Sequence, residues 1–412
     1  MSILSLEIFR VTIKIKDGGV FMNKEAQLGL LFSNLANELN ISATLYDRAV
    51  TSYTALGDYI RKNNEDWEIE VFPHGSFELG TVVKPVSDED NYDVDLVVLI
   101  RTPKFENPQH LRNVIKKFLE SHGRYEGNIE EKKQCLRVVY SDSAQFHMDI
   151  ACARTAYYGG NNIIEIAKKN EADSGYNFSL SNPRGYIDWF KKAMNFDRLL
   201  QEAHHRTKME ASTKVEKLSL PTMRTPLQKA IQILKRHRDI FFQDNLDAKP
   251  SSIIITTLCA LCYDNAQMYQ SERANVYITI KTMLDNFQLF LCSDSKGQYK
   301  LSNPSFEEEN FLYKWNTDDE LRKKFYEWIN KAKIDIVQDP FNFLDRDPKL
   351  LRHKMFESFG ERSVQSAYDA YGKEMGKLNE SGQLYIDRKS MSSTTYRDEN
   401  TVKPKQNTFY GH

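Results

Sequence analysis

Three short stretches carry residues that could do chemistry together. Tyr92-Asp93-Val94-Asp95-Leu96 sets two carboxylates two positions apart at the start of an apolar run. On a strand, side chains two apart share a face, so Asp93 and Asp95 project together. Adjacent carboxylates repel unless a cation lies between them, and a divalent metal is the usual remedy. The other reading is a pair of solvated acids at a strand entrance, after the acidic turn Asp88-Glu89-Asp90. Phe146-His147-Met148-Asp149-Ile150 places a third carboxylate among apolar strand residues, where an unpaired charge is strongly disfavoured. If the two strands are neighbours, three carboxylates converge into an all-oxygen ligand set for two Mg²⁺. The third stretch is Phe72-Pro73-His74-Gly75-Ser76. Gly75 lets the backbone approach a ligand closely and Ser76 adds a hydroxyl donor. A helix expected at 77–81 would present free amides to a phosphate. By itself Gly-Ser is a common turn. Two hard cations beside a phosphate-gripping turn make the apparatus of in-line phosphoryl or nucleotidyl transfer.

The elements that must position these residues are legible in the hydrophobic pattern. Leu28, Leu31, Phe32, Leu35 and Leu39 follow helical spacing, and Ser42 is a candidate N-cap for a second helix through residue 59. Residues 69–72 read as a strand. Residues 94–100, apolar but for Asp95, form the run of a strand buried on both faces. Residues 135–140 and 146–151 flank Ser141-Asp142-Ser143 as a hairpin, and residues 109–122 form a candidate amphipathic helix. This is an α+β module, a small sheet with helices against it. Residues 201–218 are polar and read as a connection. Beyond Pro226 the pattern is helical, with segments at 226–241, 250–263, 275–290 and 318–332. From about residue 380 the chain is rich in Ser, Thr, Asn and Lys and is expected to be a mobile tail.

Composition excludes several classes. The chain has 412 residues, 41% hydrophobic and 27% charged, enough to bury a real core. Lys and Arg number 56 against 57 Asp and Glu, for a net charge of −1. Extended duplex DNA binding is not expected, because it needs an excess of basic residues to displace counterions. No run reaches the ~20 apolar residues of a membrane span. The alternating residues 11–16 read as a strand rather than a signal peptide. Met22 is an alternative start, which would make residues 1–21 an N-terminal extension. Five cysteines give no disulfide framework, and Cys259-x-x-Cys262 sits in an apolar helical run that reads as core packing. A reducing cytoplasm fits this usage.

Gly75-Ser76, Asp93-x-Asp95 and the later Asp149 together resemble the DNA polymerase β-type nucleotidyltransferase superfamily. Within it the chain resembles the bacterial CD-NTases, related to cyclic GMP–AMP synthase. The supporting stretches are residues 74–81, 92–97, 181–190 and 227–239 with Pro250-Ser251-Ser252. The resemblance implies a polymerase β-like core at 22–218, a helical lobe at 219–379, an active site in the cleft between them, and a tail at 380–412. It implies that Gly75 and Ser76 hold the donor β- and γ-phosphates. Asp93 and Asp95 would bind both metals, two Mg²⁺ or alternatively Mn²⁺, and Asp149 the metal that activates the acceptor hydroxyl. The 16 residues between Ser76 and Asp93 leave Asp90 as a competing ligand. Lys235 would touch the triphosphate with Ser252 nearby, the other reading being a solvated basic helix end, which also covers Arg236 and Arg238. His147 and His74 read as structural histidines, and Trp189 and Phe190 as lobe-packing aromatics.

The implied activity is synthesis of a cyclic di- or trinucleotide from NTPs (ATP, and GTP, CTP or UTP), a second messenger of CBASS anti-phage defence that acts on a separate effector. Regulatory or tail-modifying partners belong to the same picture. Two other readings stand beside it: transfer to an RNA, protein or small-molecule acceptor, and a nucleotide-binding scaffold without chemistry.

Overall fold

The computed structural model describes residues 23–404 except 63, 65, 88–90, 124, 141–145, 159, 161, 171–174, 195–223, 266–273, 388–392 and 395–398. The expected strand at 11–16, the acidic turn with Asp90, the hairpin turn at 141–143 and the 201–218 connection lie outside the described residues.

Two helices open the described chain, α1 (Lys24–Glu38) and α2 (Ala43–Lys62). The Asn23 side chain accepts the Ala26 N–H at 2.8 Å to cap α1, and Ser42 Oγ accepts the Leu45 N–H at 3.2 Å at the start of α2. There follow β1 (Glu68–Pro73), α3 (Gly75–Leu79), β2 (Tyr92–Thr102), α4 (Pro108–Glu120), β3 (Ile129–Glu131), β4 (Leu136–Val139), β5 (Phe146–Thr155), β6 (Ile164–Lys169) and β7 (Tyr176–Ser181). The strands form one sheet in the order β1-β2-β5-β4-β3, with β6 pairing β5 beyond β4 and β7 pairing β6. Only β2 and β5 run parallel; the other pairs are antiparallel.

Strand β2 is buried on both faces, as its apolar run requires. Val94, Leu96, Val98 and Ile100 face a core shared with Leu56 and Ile60 of α2 and Leu111, Ile115 and Leu119 of α4. Val97 and Leu99 face the other way, onto Ala151, Ala153, Ile164 and Ile166. Asp93 and Asp95 belong by alternation to this second face.

The rest of the chain is mostly helical: α5 (Pro183–Ala193), α6 (Pro226–Phe241), α7 (Ser252–Asn265), α8 (Val276–Asn286), the hairpin β8 (Ser302–Asn303) and β9 (Phe306–Asn310), and α9 (Asp319–Ala332). A π-helical stretch, Lys333–Gln338, links α9 to α10 (Asp339–Phe343), followed by α11 (Pro348–Phe359) and α12 (Glu361–Glu380). These helices share a large core in which Phe190 is fully buried and Trp189 packs alongside, as expected of packing aromatics. Cys259 and Cys262 are buried free thiols of α7 in the same core. Helix α1 joins this core rather than the sheet. Its Phe32 ring lies 6.1 Å from Tyr277 and 6.2 Å from Phe359. The helical face of the sheet is already covered by α2 and α4, so the apolar stripe of α1 is buried in the helical lobe.

Part of the expected tail pairs locally. β10 (Tyr385–Asp387) lies between β11 (Ser393–Thr394) and β12 (Thr401–Val402). Ile386 is the partner of both Ser393 and Val402, so backbone pairing organises a stretch with few apolar anchors. Among the described residues, no helix is long and apolar enough to cross a membrane.

Candidate active site

The parallel register of β2 and β5 sets Asp95 opposite Asp149 and Asp93 opposite His147. The three carboxylates therefore meet on the second face of the sheet, as the neighbouring-strand condition required. The side chain of Asp93 is half open to the cleft; that of Asp149 is 15% exposed. Desolvation by the cleft walls, followed by the Asp149 charge, pushes the carboxyls of Asp93 and Asp95 up to about 6.

The Gly-Ser turn is built against Asp95. Gly75 has φ +61°, and a Cβ there would collide with Asp95 Oδ2, so glycine is required twice over. The His74 N–H donates to the Asp95 backbone carbonyl at 2.9 Å, and the Ser76 backbone amide donates to the Asp95 carboxylate. The helix begins at Gly75 and not at Phe77, and it lasts five residues before Gly80, at φ +67°, ends it. The expected row of free amides for a phosphate is accordingly shorter, because the Ser76 amide is already engaged. The Ser76 hydroxyl still lines the cleft.

Helix α6 brings Lys235 to the same place. Its Nζ donates to the Thr81 carbonyl at 2.9 Å, just past the end of α3. Burial, reinforced by Arg238, pushes the ammonium down to about 8. Ser252 Oγ accepts from Arg238 Nη1 at 2.9 Å, and the same nitrogen donates to the Pro250 carbonyl at 3.1 Å. Arg238 therefore braces the turn that presents Ser251 and Ser252. Arg236 is buried, donating to the carbonyls of Lys84, Pro85 and Phe359, so it is a packing residue and not part of a solvated helix end. His147 Nε2 lies 3.3 Å from Asn91 Nδ2 at the cleft mouth, and burial pushes the His74 imidazole down to about 4.

Gly75, Ser76, Asp93, Asp95, Asp149, Lys235 and Ser252 all line one cleft of about 1990 Å³ between the sheet and the helical lobe. A single drug-sized ligand fills roughly 300–1,000 Å³. The cleft therefore has room for two nucleotides.

Residues 27–194, which span the sheet and α1 to α5, match the model of the Second Messenger Oligonucleotide or Dinucleotide Synthetase domain. The chain is 28% identical over 315 residues to a c-di-GMP synthase of Roseivirga ehrenbergii, covering 75% of this chain and 78% of that one. It is 22% identical over 378 residues to the cyclic dinucleotide synthase CdnG of Bradyrhizobium diazoefficiens, covering 86% of each. The structure of CdnG in complex with GTP superimposes with a TM-score of 0.63 at 20% identity, over 84% of this chain and 97% of that one. The chain is similar to the CD-NTases. It is a nucleotidyltransferase with the polymerase β-like fold and a helical lobe.

Two residues of this site escape a motif-based reading. Arg137 of β4 pairs in register with Asp149 and grips it with two hydrogen bonds: Nε to Oδ1 at 2.7 Å and Nη2 to Oδ2 at 2.8 Å. Its Nη2 also donates to Asp93 Oδ1 at 2.9 Å. The local signal was one charged residue in the strand Leu136-Arg137-Val138-Val139; the expected hairpin names its partner strand, as observed, but not the register that sets Arg137 opposite Asp149. Lys168 of β6 lies on the same sheet face as the carboxylates and donates from Nζ to Ser179 Oγ at 3.3 Å. Among the described residues it has no ion-pair partner, and burial pushes its ammonium down. The stretch 181–190 is an inter-lobe tie. Arg184 donates to Glu70 at 2.6 Å, while Ser181 Oγ and the Asn182 backbone N–H donate to Glu309 at 2.8 and 3.3 Å.

Proposed function

We propose that this enzyme joins NTPs by metal-dependent nucleotidyl transfer into a cyclic di- or trinucleotide that serves as a second messenger in anti-phage defence. The observation that carries the reading is the meeting of Asp93, Asp95 and Asp149 beside Gly75-Ser76 in a cleft with room for two nucleotides. The activities of the relatives, a c-di-GMP synthase and a cyclic dinucleotide synthase, support the same product class. The GTP bound to CdnG makes GTP the first substrate to try, with ATP beside it.

The donor set fits a pair of hard divalent cations. It is all oxygen, and the carboxyls of Asp93 and Asp95 are pushed up by burial and then by the neighbouring Asp149 charge, which is the condition a cation relieves. In this reading Asp93 and Asp95 hold both ions and Asp149 holds the one on the acceptor side. When bound, the ions lower the barrier to ribose-hydroxyl attack and neutralise the leaving pyrophosphate. The chain's own residues do the rest. The Ser76 hydroxyl and the Lys235 ammonium hold the donor triphosphate, and the braced Ser251-Ser252 turn closes over it. The sheet face of β6 and β7 orients the acceptor, and the two lobes exclude water.

The test is incubation with α-³²P-labelled NTPs and Mg²⁺ or Mn²⁺ with no other acceptor. The expected result is a phosphatase-resistant small product, identified by mass spectrometry, that is absent with Asp95→Ala at unchanged folding. Label that appears only when RNA or protein is added, or an Asp95→Ala variant as active as the parent, would overturn the reading.

A further inference from the structure

Arg137 stands where the proposed cations would have to act. Its planar guanidinium matches the Asp149 carboxylate side-on and bridges to Asp93, with contacts of 2.7 to 2.9 Å. Such a forked, charge-assisted pair is among the stronger polar contacts a protein makes. The side chain is 23% exposed and Asp149 is 15% exposed, so the pair is only weakly screened. The consequence for ligand geometry is direct. Among the described residues, no three His, Cys, Asp or Glu side chains stand ready around a common metal position. Asp93 and Asp149 are turned onto an arginine, and Asp95 onto the Ser76 amide.

From this we propose that Arg137 is the resident counter-ion of the catalytic carboxylates. It holds Asp93 and Asp149 together in the metal-free enzyme and must let go of them for divalent cations to bind. A guanidinium and two divalent cations cannot share the same carboxylate oxygens, because like charges at contact distance repel. The released guanidinium needs a new anion. Glu130, directly across β3–β4 from Arg137, is already paired with Lys132 at 2.6 Å. The polyphosphate of an arriving nucleotide is the anion that can take the guanidinium within the cleft. Metal binding is therefore coupled to nucleotide binding: cations bind weakly to the free enzyme and tightly once a triphosphate occupies the cleft. Arg137 acts through Asp93 and Asp149 and is a positioning residue.

This inference rests on the metal-dependent reading above, and its test is separable from that one. The measurement is direct Mn²⁺ binding, by electron paramagnetic resonance of the free ion, to wild type, Arg137→Gln and Arg137→Lys. Each is titrated alone and with the α,β-methylene analogue of GTP. Changes in groups bonded to metal ligands move metal affinity about 10–100-fold. Nucleotide-free Arg137→Gln is expected to bind Mn²⁺ about tenfold or more tightly than wild type. Arg137→Lys, which keeps the charge but loses the fork, is expected to lie between. The analogue should tighten Mn²⁺ binding to wild type far more than to Arg137→Gln. The melting temperature of metal-free Arg137→Gln should fall and be restored by Mn²⁺, because three acids then repel without their cation. Equal or weaker Mn²⁺ affinity in both variants, or an analogue effect of the same size in all three proteins, would overturn the proposal. A wild type that forms the cyclic product would leave the functional reading standing even then.

Discussion

At the residue scale, the site is a problem of negative charge in a partly dry cleft. Asp95 is the most tightly built of the three acids, held through its carbonyl by His74 and its carboxylate by the Ser76 amide, with Gly75 pressed against it. Gly75→Ala is therefore expected to act on Asp95. A side chain in the left-handed region costs about 1–2 kcal/mol, and the added methyl displaces the carboxylate as well. We expect a small loss of stability, read by urea denaturation, and a fall in the rate of product formation of roughly a hundredfold. Wild-type turnover in Gly75→Ala would contradict the tight coupling of turn and carboxylate. The three acids were legible in the sequence because a charged residue inside an apolar alternating run stands out locally, and because alternation says which face it takes. Arg137 was not. The expected hairpin of 135–140 and 146–151 sets these strands antiparallel, as β4 and β5 are, but alternation does not fix the register that puts residue 137 opposite 149.

At the element scale, α6 is the bridge between lobes. Its first turn is a complete capping box, with Thr225 and Gln228 bonded reciprocally, and its length carries Lys229 towards α1 and Lys235 into the cleft. Lys229 Nζ donates to Ser33 Oγ at 2.7 Å, and burial pushes its ammonium down to about 8, with Glu374 partly opposing. The sign follows from linkage. Below about pH 8 both folded and unfolded states carry the proton, and the folded state bears the full penalty. As pH rises from 8 towards 10.5, the folded state releases its proton first and stability rises. Lys229→Met should be more stable than wild type at pH 7 by urea denaturation, with the gap closing by about pH 10. A gap independent of pH would mean that the ammonium is not strained. Helix α1 shows the limit of pattern reading at this scale. Its five-residue stripe identified the helix and its buried face, but not the core that receives it, because an apolar stripe does not name its partner. Strands β6 and β7 escaped altogether: Glu165, Lys168 and Lys169 interrupt the apolar pattern, and pairing across the sheet sustains them.

At the scale of the whole molecule, the carboxylate-bearing face of the sheet and the core of the helical lobe flank the cleft, and a few polar ties hold them together. Glu309 of the β8–β9 hairpin accepts from Ser181, from the Asn182 backbone and from Asn303 Nδ2 at 2.7 Å. Glu309→Gln weakens charge-assisted bonds worth about 1.5–3 kcal/mol each when fully formed. We expect a melting-temperature loss of a few degrees and a larger KM for NTP than change in kcat, since the cleft wall loosens while the carboxylates stay. A kcat loss at unchanged KM would place Glu309 in the chemistry instead.

The central claim is that Asp93, Asp95 and Asp149 form the cation site beside the Gly75-Ser76 turn. The most direct measurement is Mn²⁺ anomalous diffraction from crystals grown with the α,β-methylene GTP analogue. Anomalous peaks bounded by those three carboxylates are expected, with the triphosphate reaching Ser76 and Lys235 and with Arg137 withdrawn from Asp149. Manganese bound elsewhere, with Arg137 still gripping Asp149 beside a bound triphosphate, would contradict it.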